Sequence, residues 1–245
     1  MEVQIEKQLK DRCNVNLGCI FYKTNVIKNN KELWDYIENE IIDKIKKTYT
    51  LENLTEQINI QASREAYKNL GKEPSRYRVS SEALIRRILQ GKGLYKINNV
   101  VDTNNLISIE TGYSVGSYDL ENLQGCINFR IGKAGEKYQG IGKETINIEK
   151  LPVFVDDFGA YGSPTSDSTR AMITEKSKNI LTVLISFNGI EGLEKSIDLA
   201  KKYLIKYANG ENISSIIVWY KIVLYNPIYN FNVLYKIKSR LKCMC

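Results

Sequence analysis

The sequence of 245 residues contains no histidine, and it contains no long apolar run. Without histidine, neither a Ser-His-Asp triad nor a Cys-His pair can form, so hydrolysis would have to use carboxylates, hydroxyls, backbone dipoles or groups of the substrate. The most apolar stretch, Ile213 to Tyr225, includes Lys221 and is shorter than the roughly 20 residues that span a membrane. The charged N-terminus lacks the apolar segment of a secretory signal. We therefore expect a cytoplasmic protein without a transmembrane segment.

The cysteines are few and scattered: Cys13, Cys19, Cys126, Cys243 and Cys245. An odd number of cysteines spread over the whole chain is not typical of a disulfide framework, so we expect reduced thiols. No pair has the two-residue spacing of a zinc knuckle, and no histidine is present to complete a ligand set. We therefore expect neither a metal ion nor another cofactor.

The net charge is +7, from 35 lysines and arginines against 28 acidic residues. An excess of positive charge favours polyanionic partners through the electric field and counterion release. Many lysine-rich proteins carry such a charge for solubility alone, so the charge by itself does not decide between the two interpretations.

Hydrophobic periodicity and turn signals predict an α+β fold, with α and β elements mixed and helices flanking a mostly antiparallel or mixed sheet. Ser80 and Ser81 are expected to cap one of the helices. No linker interrupts residues 60–210, so we expect one indivisible unit there. We predict a domain over residues 1–212 and an extension of unknown role over 213–245. The predicted helices cover 31–47, 63–70, 80–91, 99–112 and 193–208, and the predicted strands cover 17–22, 126–131, 145–148, 153–157 and 180–187.

A series of short motifs follows in one order along the chain. It begins with Glu73-Pro74-Ser75 and continues with Ile97 to Asp102, Glu110-Thr111-Gly112, Ser117-Tyr118-Asp119, Leu123-Gln124-Gly125, Arg130, Gly135-Glu136 and Lys178 to Leu181. In order and separation these motifs resemble the B3/B4 domain, the editing domain of the phenylalanyl-tRNA synthetase beta subunit. The resemblance covers about residues 60–210 and lacks the other synthetase modules, which implies a free-standing version of that domain.

Two positions depart from the synthetase pattern. Gly116 stands where the family has a histidine, and the loop from Ser163 to Arg170 stands where the family has a glycine-rich loop running into a glutamate. Asp167 is the candidate replacement for that glutamate. Free-standing members carry much the same loop and the same Pro-Ser-Arg-Tyr-Arg segment, so both departures are typical of a subfamily.

The resemblance implies that the protein clears the ester between a wrongly chosen amino acid and the terminal ribose of a tRNA. On this hypothesis Asp167 holds the ammonium group of the substrate, Ser166 and Ser168 orient a water molecule, and Ser163, Thr165 and Arg170 contact the substrate. The alternative interpretation of this segment is a capping or turn sequence, because serine, threonine and aspartate are favoured in both.

Arg76, Tyr77 and Arg78 are candidates for binding the terminal phosphates and stacking on the last adenine. The alternative is a solvated loop with a core tyrosine. Asn99 and Asp102 have counterparts in the family and are further candidates for substrate binding. They could equally be structural, because both residue types satisfy free N–H groups at a helix start.

The resulting hypothesis is a trans-acting aminoacyl-tRNA deacylase, with the amino acid left open. The substrate would be a tyrosine-like residue on the phenylalanine tRNA, or an arginine analogue on the arginine tRNA, which the acidic loop around Asp167 would suit. The expected partner is a tRNA acceptor end, with no membrane and no obligate protein partner. The alternative is a noncatalytic module that binds tRNA or an amino acid, and pairing of Asp167 with Arg170 would favour it.

Overall fold

The structure, a computed structural model, describes residues 2–142, 144–219 and 221–223. The strands are β1 (Glu2–Ile5), β2 (Asn16–Lys23), β3 (Ser114–Asp119), β4 (Cys126–Ile131), β5 (Lys137–Gln139), β6 (Thr145–Asn147), β7 (Pro152–Asp156), β8 (Gly159–Gly162), β9 (Asn179–Ser186), β10 (Glu211–Val218) and β11 (Lys221–Val223). The helices are α1 (Lys7–Lys10), α2 (Lys31–Tyr36), α3 (Ile42–Thr48), α4 (Ile58–Asn69), α5 (Ser80–Leu89), α6 (Asn99–Thr111) and α7 (Leu193–Tyr207). No helix in this part of the chain has the length and apolar character needed to cross a membrane.

The strands form two main sheets and a hairpin. The five-stranded sheet has the order β11-β1-β4-β7-β8, and its β1–β4 pair is parallel while the other pairs are antiparallel. The four-stranded sheet has the order β10-β2-β9-β3 and is antiparallel throughout. Strands β5 and β6 form the separate hairpin. The expected α+β class, with antiparallel and mixed sheets flanked by helices, is confirmed.

The two main sheets pack face to face, and helices cover the outer side of the four-stranded sheet. Side chains alternate along β9 as strand geometry requires. Leu181, Val183 and Ile185 belong to the core that the two sheets share. Ile180 and Leu184 belong to the core under α6 and α7. A third core joins α2 and α3 to α5 and α6, which places the helices in a layer of their own.

Four aromatic rings form the centre of the core between the sheets. Tyr118 comes from the four-stranded sheet, whereas Phe129, Phe154 and Tyr161 come from the five-stranded sheet. The Tyr118 and Tyr161 rings meet edge to face with centroids 4.9 Å apart, and the Phe129 and Phe154 centroids are 4.3 Å apart. Such pairs are more favourable than their buried area alone would make them. The cluster therefore fixes how one sheet lies on the other.

Most helix bounds agree with the sequence pattern, with three differences. Helix α4 begins at Ile58, five residues before the predicted start at residue 63. The helix predicted over 31–47 is α2 and α3 joined by a π-helical turn, Ile37–Ile41. The prediction that Ser80 and Ser81 cap a helix was wrong, because both lie inside the first turn of α5 and Val79 precedes it without a side-chain cap. The N–H of Ser80 instead donates to the carbonyl oxygen of Pro164, 2.7 Å away.

The C-terminal part of the domain extends past the boundary suggested at residue 212. That boundary falls inside β10, which pairs with β2 from Glu211 to Val218. Strand β11 then pairs with β1 at the edge of the other sheet. Residues 213–218 are therefore part of the four-stranded sheet, and residues 224–245 of the suggested extension lie outside the described residues.

We predict that a fragment of residues 60–223, which keeps the whole stretch with the B3/B4 resemblance, does not fold alone. It lacks β2, which pairs along its whole length with β9 and lies between β9 and β10. Its loss would expose two unpaired strand edges and remove the buried side chains of Leu17, Cys19, Ile20 and Tyr22 from both cores. Urea denaturation followed by circular dichroism should show no cooperative transition for the fragment. The full chain is the control, and a sigmoidal transition in the fragment would contradict the prediction.

Candidate functional site

The loop that follows β8, residues 163–168 (the Asp167 loop), folds around the side chain of Ser163. The Ser163 hydroxyl accepts a hydrogen bond from the N–H of Ser166 at 3.1 Å and a longer one from Thr165 at 3.4 Å. It also donates to the carbonyl oxygen of Ser166 at 2.8 Å. A serine hydroxyl that bonds its own backbone two or three residues on makes a compact turn. Ser163 therefore holds the shape of the loop, as the turn interpretation of this segment expects.

Three tyrosine hydroxyls from three different elements contact this loop. Tyr67 of α4 shares a hydrogen bond of 2.8 Å with the Thr165 hydroxyl. Tyr138 of β5 donates to the Ser166 carbonyl oxygen and lies 3.2 Å from the Ser163 hydroxyl. Tyr118 of β3 donates to Asp167. Burial raises the pKa of all three hydroxyls above its usual value, so they stay protonated at neutral pH.

Asp167 is a half-buried carboxylate with one oxygen engaged. Its Oδ1 accepts from the Tyr118 hydroxyl at 3.0 Å and from the N–H of Ser163 at 3.3 Å. Its Oδ2 accepts no hydrogen bond from any residue that the structure describes. Burial raises the pKa of Asp167 to about 6, against the opposing effect of these two donors. The carboxylate thus has an oxygen left for a substrate group or water, and its pKa is close to neutral.

Gly116 and Gly162 make room for the hydroxyl that holds Asp167. A Cβ atom at either position would overlap the Tyr118 hydroxyl oxygen. Gly116 lies two residues before Tyr118 on β3, and Gly162 ends β8. Gly116, where the resemblance leads one to expect a histidine, therefore leaves space that the Tyr118 hydroxyl occupies.

The other predicted catalytic residues are part of the loop's own hydrogen-bond network. Ser168 is buried, and its hydroxyl accepts from the N–H of Arg170 at 3.2 Å, where it caps the short 3₁₀ helix Thr169–Ala171. Ser166 contributes the carbonyl oxygen that Tyr138 and Ser163 bond. Catalytic roles for Ser166 and Ser168, and substrate contacts for Ser163 and Thr165, stay predictions. The bonds of Ser163 and Ser168 favour the structural alternative.

Arg170 pairs with Asp156 rather than with Asp167. The guanidinium group meets the two carboxylate oxygens of Asp156 at 2.8 and 3.0 Å. It also donates to the carbonyl oxygens of Asn122 and Gly159. A bidentate pair with a buried carboxylate is strong and geometrically specific. Substrate binding by Arg170 stays a prediction, and its bonds favour a role in fixing the start of β8.

The segment Arg76-Tyr77-Arg78 lies next to the same loop, since the Ser80–Pro164 bond joins the two. Arg76 is exposed. The Tyr77 ring packs partly buried against the core that contains Tyr67 and Tyr138, and the Lys72 ammonium lies 4.5 Å from its centroid. The Arg78 guanidinium is 3.8 Å from the carboxylate of Glu82. The structure thus brings this segment and the Asp167 loop together, as the substrate-binding hypothesis needs.

Asn99 and Asp102 lie in the interior at the start of α6. The Asn99 side chain accepts from the N–H of Ile27 at 2.9 Å and donates to the Asn25 carbonyl oxygen. The Asp102 carboxylate accepts from the Trp34 indole N–H at 2.8 Å and from the N–H of Ile97 at 2.9 Å. Burial raises the pKa of Asp102 against these donors. Their predicted substrate contacts stay predictions, and all these bonds favour the structural alternative.

Sequence reasoning missed the three tyrosines and one charged cluster. The motif Ser117-Tyr118-Asp119 contains Tyr118 but does not predict a role for it. No local pattern around Tyr67 or Tyr138 predicts that either side chain contacts the Asp167 loop. Glu82 is fully buried among Arg64, Arg78 and Arg86. Glu82 and Arg86 lie four residues apart on one face of α5, and Arg78 lies four residues before Glu82, a spacing that could have revealed part of the cluster.

The Asp167 loop is selected by its chemistry rather than by a deep cavity. Two open clefts of about 660 and 470 Å³ lie elsewhere, and no predicted site residue lines either of them. Over residues 2–142, 144–219 and 221–223, no group of three or more cysteine, aspartate and glutamate side chains is arranged to hold a metal ion.

We predict that Asp167→Asn changes how stability depends on pH. Because the folded pKa of Asp167 is raised, ionisation opposes folding, and the parent loses stability as the pH rises through about 6. Asparagine has no charge to desolvate and keeps an acceptor for Tyr118. Between about pH 4 and pH 7.5 the parent should lose about 1–2 kcal/mol in free energy of unfolding relative to the variant. Urea denaturation over that range measures the difference.

The exposed carboxylate of Asp157 provides the matched control. Asp157→Asn should keep the pH dependence of the parent. If Asp167→Asn also kept it, the carboxylate would not be perturbed by its surroundings.

Comparison with known proteins places most of this chain in a family. The profile of the B3/4 domain family matches residues 62–217. The phenylalanine–tRNA ligase beta subunit of Streptococcus pneumoniae is 26% identical over 137 residues, which cover 54% of this chain and 17% of that subunit. The same subunit of Chromobacterium violaceum is 34% identical over 76 residues, which cover 31% of this chain and 10% of that subunit.

A solved structure of an N-terminal fragment of the phenylalanyl-tRNA synthetase beta-subunit from Pyrococcus horikoshii is also similar. It is 13% identical with a TM-score of 0.44, over 88% of this chain and 53% of that one. The chain spans only about a sixth or less of the length of the curated relatives described above. Because the family profile covers well over half of the sequence, the chain belongs to the B3/4 domain family.

Proposed function

We propose that this protein hydrolyses the ester that joins a wrongly chosen amino acid to the end of a tRNA. Its family relatives include beta subunits named as phenylalanine–tRNA ligases, whose substrate is a tRNA by that name. The resemblance to the editing domain adds the reaction, which is removal of a mischarged amino acid. The partner is then a charged tRNA acceptor end.

The observation that carries the proposal is the state of Asp167. A purely structural carboxylate would have both oxygens paired, as Asp156 and Asp102 do. Asp167 keeps Oδ2 without a partner in the described chain, and its pKa of about 6 matches proton transfer near neutral pH. Perturbed carboxylates with spare bonding capacity are typical of functional sites.

The hydrogen bonds around Asp167 also favour an enzyme over a noncatalytic binding module. Pairing of Asp167 with Arg170 would have neutralised the acid, but Arg170 is held by Asp156. Tyr118 and Ser163 fix one oxygen of Asp167 and leave the other in a set direction. Fixed orientation of a reacting group is a large part of catalysis, because it removes the entropy of alignment from the reaction step.

The reaction needs little from the protein, because an ester is already activated towards attack. The ionised Asp167 holds the ammonium group of the amino acid or takes the proton of the attacking water, and its free oxygen serves either task. A ribose hydroxyl of the substrate and backbone N–H groups can assist the leaving group and the developing oxyanion. No histidine is required.

A panel of charged tRNAs identifies the amino acid that the protein removes. Tyrosine on the phenylalanine tRNA follows from the resemblance to the synthetase domain, and an arginine analogue such as canavanine on the arginine tRNA follows from the acidic loop. Incubation of the full chain with each labelled aminoacyl-tRNA, and measurement of amino-acid release, reports both activity and identity. Release above the spontaneous rate from none of these substrates would contradict the proposal.

We predict that Asp167→Asn lowers the rate of deacylation by at least about 100-fold, the usual contribution of a positioned acid or base. Asparagine keeps the shape and the Tyr118 bond but can neither accept a proton nor balance an ammonium charge. Single-turnover release of the labelled amino acid measures the loss. Asp157→Asn is the control and should keep the parental rate, whereas full activity of Asp167→Asn would remove Asp167 from the mechanism.

The rate should also depend on pH in a defined direction. Both tasks of Asp167 need the ionised carboxylate, so the rate should rise about tenfold per pH unit below the pKa and level off above about pH 6. The profile is measured after subtraction of spontaneous ester hydrolysis at each pH. A flat profile between about pH 4.5 and 7 would show that the ionisation of Asp167 does not control the rate.

A further inference from the structure

One fully buried carboxylate, Glu82 of α5, is surrounded by three arginines. Arg64 of α4 donates to both of its oxygens at 2.9 and 3.0 Å. Arg86, one turn further along α5, donates to Oε1 at 2.8 Å. Arg78, which precedes α5, has its Nε 3.8 Å from the same oxygen. These four residues are the arginine cluster.

The charges of the arginine cluster do not balance. Three guanidinium groups face one carboxylate, and the exposed carboxylates of Glu52 and Glu73 offset part of the remaining positive charge by interacting with Arg86 and Arg64. Arg64 and Arg86 already satisfy Glu82 and tie α4 to α5, so a structural role accounts for these two. Arg78 adds charge without a hydrogen bond to any described residue, and 47% of its side chain is exposed. An ion pair with a purely structural role does not require a third arginine as exposed as Arg78.

The arginine cluster lies directly beside the Asp167 loop. Only Val79 separates Arg78 from Ser80, whose N–H donates to the Pro164 carbonyl oxygen. On α4, Tyr67 follows Arg64 by three residues, which places both on one face about 4.5 Å apart along the helix. The Tyr67 hydroxyl contacts Thr165 of the loop. The arginine cluster is therefore joined to the loop of the proposed reaction site both through the chain from Arg78 to Ser80 and through helix α4.

We infer that Arg64, Arg78 and Arg86, arranged by Glu82, bind a phosphodiester group of the nucleic acid whose 3′ end reaches Asp167. The inference rests on the proposed function and names the part of the same substrate that the arginines hold. The planar guanidinium group suits phosphate oxygens because it offers parallel N–H donors at matching spacing. Arg64 and Arg86 each keep N–H groups that Glu82 does not use, and Arg78 keeps all of its own. Glu82 restricts the rotamers of Arg64 and Arg86, so less entropy is lost when the phosphate binds.

The test compares two esters of the same amino acid, one on adenosine without phosphate and one on intact tRNA. Arg78→Ala should lower kcat/KM for the charged tRNA about tenfold and leave the adenosine ester unchanged, because only the tRNA brings a phosphodiester. The salt dependence of uncharged tRNA binding should become shallower by about 0.7 to 0.9 in log–log slope. Arg78→Lys keeps the charge and should keep the slope while losing part of the affinity.

Arg12→Ala is the matched control, since Arg12 is an exposed arginine outside the arginine cluster. It should leave both the slope and the two rates unchanged. Equal losses on both esters in Arg78→Ala would assign Arg78 to the amino-acid site and overturn the inference. An unchanged slope together with unchanged rates would overturn it as well.

The binding experiment separates this inference from the proposed function. If the parent hydrolyses neither ester, the deacylase proposal fails. The salt dependence of uncharged tRNA binding, compared between the parent and Arg78→Ala, then still tests whether the arginine cluster binds a phosphodiester. If the parent hydrolyses both esters while Arg78→Ala keeps the parental slope, the deacylase proposal stands and the phosphodiester site is refuted.

Discussion

The hydrogen bond between Tyr118 and Asp167 joins the core of this protein to its candidate site. The Tyr118 ring packs against Phe154 and Tyr161 of the opposite sheet, so the position of its hydroxyl is fixed by the way the two sheets meet. Because Gly116 and Gly162 have no side chain, the hydroxyl reaches the loop beyond β8 and holds one oxygen of Asp167. The geometry of the site therefore depends on the packing of the whole domain.

Four acidic residues of this fold have different roles because their hydrogen-bond partners differ. Both carboxylate oxygens of Asp156 accept hydrogen bonds from the guanidinium group of Arg170. Those of Asp102 accept from the Trp34 indole N–H and from the N–H of Ile97. Glu82 has more positive charge around it than it needs. Asp167 has an unused oxygen and a pKa raised to about 6. A carboxylate that can still accept a proton or a cation lies next to an excess of guanidinium groups, which is a suitable surface for an ester attached to a polyanion.

The loop also shows why turn-forming residues need not be catalytic to matter. Ser163 and Ser168 use their hydroxyls on nearby backbone N–H groups, and the tyrosines of α4, β3 and β5 restrain the same six residues from three sides. Such a network places the Asp167 side chain on a rigid support although it belongs to a loop. A fold can position a reactive side chain on a loop when the surrounding side chains hold that loop in one conformation.

The sequence by itself determined the local elements and the family. Three- and four-residue spacing located α2 to α7, and the short β-rich segments located five of the eleven strands that the structure describes, because burial on one face imposes a period that can be read locally. The sequence pattern does not indicate β3, because Ser114 to Asp119 contains only two apolar side chains, Val115 and Tyr118. It also gives no signal for β1, β5, β8 and β11, which have three or four residues each, and the predicted boundary at residue 212 divides β10. The short motifs were enough to indicate the B3/B4 resemblance and to select Asp167. Only the tertiary structure decided that Arg170 pairs with Asp156, that three tyrosines hold the loop, and that Arg64 of α4 bonds Glu82. These contacts join residues from 14 to 98 positions apart, and their partners are chosen by how the sheets and helices pack, which no local period records.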